Sequence, residues 1–397
     1  LRRDGEESNM EIIARWYQTG APMRIRIAGG RVSEAARVDV APTGMPWIAP
    51  GLLDMQINGY RGQEFSSDQL TVERCAEIVE ATAAFGVTRF LPTVTTHSLA
   101  TLSGALRTIG EACDQDRRIA ARVPGIHLEG PYISVQDGPR GAHPQAHCHA
   151  PDWDEFCRLQ EASGGRIRVL TLSPEHPGAA PFISRVAASG VVVSIGHTAA
   201  TARQIDEAAD AGATMSTHLG NGSHPLLPRH ENYLWAQIAD DRLTAGLIVD
   251  GHHLPRHLVK AIVRAKQPGR CVLVSDLSGY AGLPVGRYQT ELCELEILAT
   301  GKLVVAGQEE LLAGASRPLC EGIGNVMDFA GIGLAAAVDM ATRRPAELLG
   351  LEVAAPRTGS AADFVVFELA EGGAEGGARL DVKRTIGGGE VLWQAAS

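Results

Sequence analysis

The sequence has no Cys-x-x-Cys pair, no apolar run long enough to cross a bilayer and no excess of positive charge. Each lack removes a class of function. The 7 cysteines are scattered along 397 residues, so they read as reduced thiols of a cytoplasmic protein rather than a disulfide framework. With 36 Lys and Arg against 46 Asp and Glu, the formal charge is −10. A nucleic-acid surface is therefore not expected, although an acidic chain can still hold a basic pocket for an anion. A membrane span is not expected either, and the first twenty residues contain no apolar core of the signal-peptide kind. Residues 1–9 are polar and read as a lead outside the fold, with Met10 a candidate start.

What is present is an ordinary globular composition, 45% hydrophobic and 21% charged. The length suits one large α/β barrel with an accessory piece. Eight apolar runs of strand length follow one another through the middle of the chain: "WIAPGLLDMQING", "VTRFLPTVTT", "RVPGIHLEG", "RIRVLTLSPE", "VVVSIGHT", "ATMSTHLGN", "LTAGLIVDGHH" and "RCVLVSDLSG". Amphipathic segments such as "TARQIDEAADAG" lie between them. This alternation predicts a TIM (β/α)8 barrel, and the unbroken apolar character predicts strands covered on both faces. Short β-type segments at both ends, including a Gly29-Gly30 hairpin signal, predict a small β-sandwich formed by residues 1–50 and 356–397, with the barrel over 51–355.

Polar groups fall at the ends of successive runs: Gln56 and Asn58, Thr95 and Thr96, Glu129, Glu175, His197, His218, His252 and His253, Asp276. The C-terminal ends of barrel strands form the active-site mouth, so these residues are expected to converge. A buried carboxylate such as Glu129 is costly without a cation. Glu129, His197 and His218 form a candidate metal set. One carboxylate and two imidazoles suit zinc first, with iron, manganese or cobalt as other divalent candidates. Asp276 is placed to act as a general base and acid. Gly220, Asn221 and Gly222 offer backbone N–H groups to an anion, and Arg229 is a candidate phosphate clamp. His143 sits in "GAHPQAHCH", where three histidines could be a substrate contact, a metal tract or exposed side chains.

The motifs "PGLLDMQING", "GIHLEGPYIS", "GAHP", "TLSPE", "VSIGHT", "THLGN", "IVDGHHLP" and "LVSD" give the chain a resemblance to the N-acetylglucosamine-6-phosphate deacetylase family of the amidohydrolase superfamily, from about residue 45 onward. The resemblance implies a barrel with a small β-sandwich, a metal held by Glu129, His197 and His218, and proton transfer by Asp276. It makes His143 and His253 substrate contacts, and places Asn221 and Gly222 at the sugar phosphate. Arg229 would be supplied by a neighbouring subunit, which implies a homodimer. Gln56 and Asn58 stand where many amidohydrolases have His-x-His, so a single ion per chain is expected. The loop "HLGNGSHPLLPRHEN" departs from the family pattern, which leaves hydrolysis of another N-acyl or cyclic amide, without phosphate, as the alternative substrate class. A ligand-binding barrel without catalysis is the alternative outside enzymes.

Overall fold

The computed structural model describes residues 10–39, 44–290, 294–372 and 377–396; the polar lead over 1–9 lies outside the described residues. The chain opens with β1 (Met10–Trp16), β2 (Pro22–Ala28), β3 (Arg31–Arg37) and β4 (Trp47–Pro50). The Gly29-Gly30 signal is the β2–β3 turn, where both glycines have positive φ. Gly51 alone separates β4 from β5 (Leu52–Ile57), the first strand of the barrel. A short hairpin follows, β6 (Gly59–Tyr60) and β7 (Gln63–Glu64).

The remaining barrel strands are β8 (Val87–Thr95), β9 (Ile126–Glu129), β10 (Ile167–Leu172), β11 (Val192–Ile195), β12 (Ala213–Ser216), β13 (Thr244–Leu247) and β14 (Cys271–Leu273). They pair in parallel in sequence order with β5 at one edge. A bridge between Ile57 and Leu277 draws β5 to the chain beyond β14. All eight expected runs become barrel strands. Leu52, Phe90, Leu128, Leu170, Ile195 and Leu247 are fully buried, as strands covered on both faces require. The segment "TARQIDEAADAG" forms the helix Ala202–Asp210, and its start is fixed by a reciprocal capping box between Thr201 and Gln204.

An antiparallel sheet of four strands interrupts the chain after the eighth barrel strand: β15 (Gly286–Gln289), β16 (Glu294–Ile297), β17 (Leu303–Val305) and β18 (Gln308–Leu312). The sequence reading had no element here. Its strands are three to five residues long and, among the described residues, bury few apolar side chains, Leu295, Ile297, Leu303 and Val304, so their alternation is weak.

The chain closes with β19 (Phe364–Glu371), β20 (Ala378–Gly387) and β21 (Glu390–Gln394). These join the opening strands in one seven-stranded sheet of order β21-β20-β19-β4-β1-β2-β3. The two chain ends thus build one β domain. It is seated on the barrel by buried polar contacts: Tyr17 Oη donates to Asp339 at 2.5 Å, and Thr385 Oγ1 donates to the Ala83 carbonyl at 2.6 Å. None of the described helices is long and apolar enough to cross a membrane.

Candidate metal and substrate site

The polar strand ends meet in one cavity of about 1610 Å³, lined by Glu129, His143, His197, His218, Asn221, Gly222, His253 and Asp276. Arg229 is not among the lining residues of the single chain.

Glu129 ends β9. Its Oε1 lies 3.2 Å from His197 Nε2 and 3.1 Å from His218 Nε2, and the two Nε2 atoms are 3.0 Å apart. All three side chains are buried. His197 Nδ1 donates to the Pro139 carbonyl at 2.9 Å, which leaves its Nε2 with a lone pair toward Glu129. Three donor atoms at such spacing repel one another unless a cation or proton sits among them. For metal–ligand bonds of about 2.0–2.2 Å, tetrahedral donors stand roughly 3.3–3.6 Å apart, so the triangle needs only a slight expansion to fit a divalent ion. Among the described residues, His218 Nδ1 is buried without a hydrogen-bond partner.

His143 Nε2 lies 3.2 Å from His197 Nε2, and Glu129, His143 and His197 place donor atoms within 4.8 Å of one another. His143 therefore borders the same point in space. The other two histidines of its loop diverge: His147 stacks on His97, and His149 Nε2 faces Glu155 at 3.4 Å.

Local backbone geometry explains why these side chains point inward. His197, His218 and Asp276 have φ of +50°, +28° and +53°. Non-glycine residues in this region are uncommon and concentrate at functional sites. Each lies two or three residues past the end of its strand, where the turn of the backbone sets the side chain over the barrel mouth. Gly222 also has positive φ, +54°, and a Cβ there would stand 2.8 Å from His197 Nδ1. The loop after β12 can close on the imidazole only because that side chain is missing.

The charges are strongly coupled. Burial alone would raise the Glu129 pKa, but hydrogen bonds and charge from His197 and His218 hold it well below the usual carboxylate range. Burial works against the imidazolium of His218, yet Glu129 and Asp276 raise its pKa. Asp276 is pushed up by burial and by the charge of Glu129. His143 is pushed down to about 3, mainly by burial.

The amidohydrolase family model matches residues 47–391. The chain belongs to the amidohydrolase family. It is 33% identical to the N-acetylglucosamine-6-phosphate deacetylase of Bos taurus over 358 residues, which covers 87% of this chain and 83% of the bovine protein. It is 32% identical to the N-acetylgalactosamine-6-phosphate deacetylase of Escherichia coli O157:H7 over 332 residues, covering 83% of this chain and 85% of that protein. Among solved structures, a mutant N-acetyl-D-glucosamine-6-phosphate deacetylase from Mycobacterium smegmatis, in complex with N-acetyl-D-glucosamine-6-phosphate, superposes with a TM-score of 0.84 at 29% identity and covers 97% of this chain and 99% of that one. The family resemblance read from the motifs is to this same group.

Two features of this amidohydrolase were not legible from its sequence. The first is what Gln56 and Asn58 do. Gln56 Nε2 donates to Glu129 Oε2 at 3.1 Å and to Asp276 Oδ1 at 3.0 Å, and Asn58 Nδ2 donates to Asp276 Oδ1 at 2.8 Å. A neutral amide thus bridges two buried carboxylates that would otherwise repel. Asp54 supports the same corner: its Oδ1 accepts from the backbone N–H of Gln56 and Ser275, and burial pushes its pKa up to about 7. Hydrogen bonds to charged groups are worth ~1.5–3 kcal/mol, so Gln56→Ala is expected to lower unfolding stability by about 2 kcal/mol. Equilibrium denaturation checks this, and an unchanged midpoint would show that the bridge contributes nothing.

The second is the pair Asp250–His253. His253 Nδ1 donates to Asp250 Oδ2 at 2.8 Å, while Asp250 Oδ1 accepts from the backbone N–H of His252 and His253. The pairing leaves His253 Nε2 as the nitrogen available to the cavity. The Asp-Gly-His-His spelling, an Asp followed within three residues by its own N–H partners, was the sequence signal for such a turn.

Glu175, grouped with the strand-end candidates, does not line the cavity. It accepts from Ser134 Oγ, Ser173 Oγ and the Ala199 backbone N–H, and so splints the loops around His197.

Proposed function

We propose that the chain is a metal-dependent deacetylase that hydrolyses the N-acetyl group of an amino-sugar 6-phosphate, releasing acetate and the free amine, with N-acetylglucosamine 6-phosphate as the leading substrate. The observation that carries the reading is the meeting of Glu129, His197, His218 and Asp276 in one cavity of an amidohydrolase barrel. Glu129, His197 and His218 would hold one divalent ion, zinc in the simplest case. When bound, such an ion polarises the amide carbonyl and lowers the pKa of a water molecule. Asp276 then takes a proton from the attacking water and passes it to the departing amine nitrogen as the C–N bond breaks. Gln56 and Asn58 keep its carboxylate in place for both transfers. His143 and His253 contact the sugar, and the backbone around Asn221 and Gly222 receives the phosphate.

A homodimer completes this reading, with Arg229 of a second copy reaching the phosphate. Arg229 lies outside the cavity of its own chain; its loop exposes Leu226 at 88%, and the helix Tyr233–Ala239 that follows exposes Trp235 at 55%, whose indole N–H donates to the Arg229 carbonyl. Exposed apolar side chains beside an arginine that forms no ion pair among the described residues are what a self-complementary contact would bury.

Steady-state kinetics on N-acetylglucosamine with and without the 6-phosphate test the substrate. The expected result is a clear preference for the phosphorylated sugar, with Arg229→Ala raising KM for it by about tenfold more than for the plain sugar, as loss of one charge-assisted contact predicts. Equal rates on both sugars would overturn the phosphate requirement and favour an amide substrate without it.

A further inference from the structure

The cavity is lined by groups of both signs. Glu129 and Asp276 lie among its lining residues together with the nitrogen-bearing groups His252, His253 and Lys302. His252 and His253 come from the turn after β13, and Lys302 comes from the turn before β17 of the inserted sheet. Arg140, another lining cation, is paired with Asp137 and donates to the His143 carbonyl, while Arg74 donates to the Gln69 carbonyl. Lys302 Nζ donates to the Glu309 carbonyl and, among the described residues, forms no ion pair.

Lys302 does not sit on a loose tip. Its turn is tied to the barrel by Ser316 Oγ, which donates to the Gly301 carbonyl, and by Arg317, which donates to the Thr300 carbonyl at 3.3 Å. The same guanidinium packs over Gly301, where a Cβ would come within 3.1 Å of it. Arg317 is paired with Glu321 at 3.4 Å, and His253 Nδ1 donates to Asp250 at 2.8 Å. Burial lowers the His252 pKa most, against the pull of Asp250, and the charges of Arg317, His253 and Lys302 lower it further. Glu310 lines the same cavity and forms no ion pair with Lys302 among the described residues.

We propose that Lys302 is a specificity residue, the chain's own ammonium partner for the phosphate monoester of a substrate whose amide lies at Glu129 and Asp276. The proposal rests on the reading of the substrate as a sugar phosphate. Lysine serves here as a point charge: three rotatable donors on a flexible stem accept a phosphate without demanding one orientation. His253, aimed by Asp250, stays with the sugar, and the backbone around Asn221 and Gly222 supplies the other donors to the same group. The inserted sheet thereby carries part of the recognition that the barrel loops carry elsewhere, and a single chain has a cation at the anion even without Arg229 from a second copy.

The test measures binding of glucose 6-phosphate, which bears the anion but no amide, to the metal-loaded protein by calorimetry. Lys302→Ala is expected to weaken this binding by tenfold or more, with Lys302→Arg restoring most of it. In kinetics, Lys302→Ala is expected to raise KM for N-acetylglucosamine 6-phosphate at least tenfold more than for N-acetylglucosamine. Affinity within twofold of wild type, or equal losses for both sugars, overturns the proposal. Weakened glucose 6-phosphate binding in a protein that deacetylates neither sugar would leave Lys302 as the anion partner and remove the deacetylase reading. Turnover of the phosphorylated sugar with unchanged affinity in Lys302→Ala would do the reverse.

Discussion

Asp276→Asn is expected to fold, bind metal and lose turnover by ~10²–10⁴-fold, the usual worth of general acid–base assistance. The backbone makes this substitution unusually clean. Asp276 sits at φ +53°, a conformation that asparagine tolerates well. An amide oxygen at 276 could still accept from Gln56 Nε2 and Asn58 Nδ2, which reach Oδ1 at 3.0 and 2.8 Å. What the amide cannot do is carry a proton from water to amine. Loss of kcat at unchanged melting temperature and metal content would therefore report proton transfer alone. Retention of more than about a tenth of wild-type turnover would be too small a loss for that role.

Glu129→Gln is expected to remove the metal and, with it, nearly all activity. In the proposed set Glu129 is the anionic donor, and it stands within 3.2 Å of both imidazole Nε2 atoms. Even partners one step removed from a metal cost 10–100-fold in affinity when lost, so losing the carboxylate itself should exceed about 100-fold. Elemental analysis after dialysis checks it: about one ion per wild-type chain is expected from this donor set, and close to none in the variant. Two tightly held ions per wild-type chain would contradict the donor set, because Gln56 and Asn58 are spent on the carboxylates rather than on a second site.

Much of the molecule was legible in the sequence because the relevant signals are local. A strand covered on both faces reads as an unbroken apolar run, and all eight runs became barrel strands. A polar residue closing such a run has few structural uses, which is why Glu129, His197, His218 and Asp276 stood out. The rest depended on proximity that no local pattern encodes. The Gln56 bridge joins residues 73 and 220 positions away, so the amides were read only as absent histidines. Glu175 had the same local signature as Glu129, yet its loop turns it toward Ser134 and Ala199. The sheet of β15–β18 buries too little apolar surface for its short strands to alternate visibly.

The shared sheet of the two chain ends sets an order of assembly. Strand β4 lies between β1 and β19, and Trp47 pairs with Phe367. During synthesis at roughly 5–20 residues per second, that edge of β4 stays unpaired for on the order of 15–60 s while the barrel is made. An open edge is a template for strands of other chains. Pro50 offers no amide hydrogen at the end of β4, which blunts the edge at that position. Chains cut short before residue 364 should accordingly self-associate even when their barrels are whole, because they lack the strand that seals the edge.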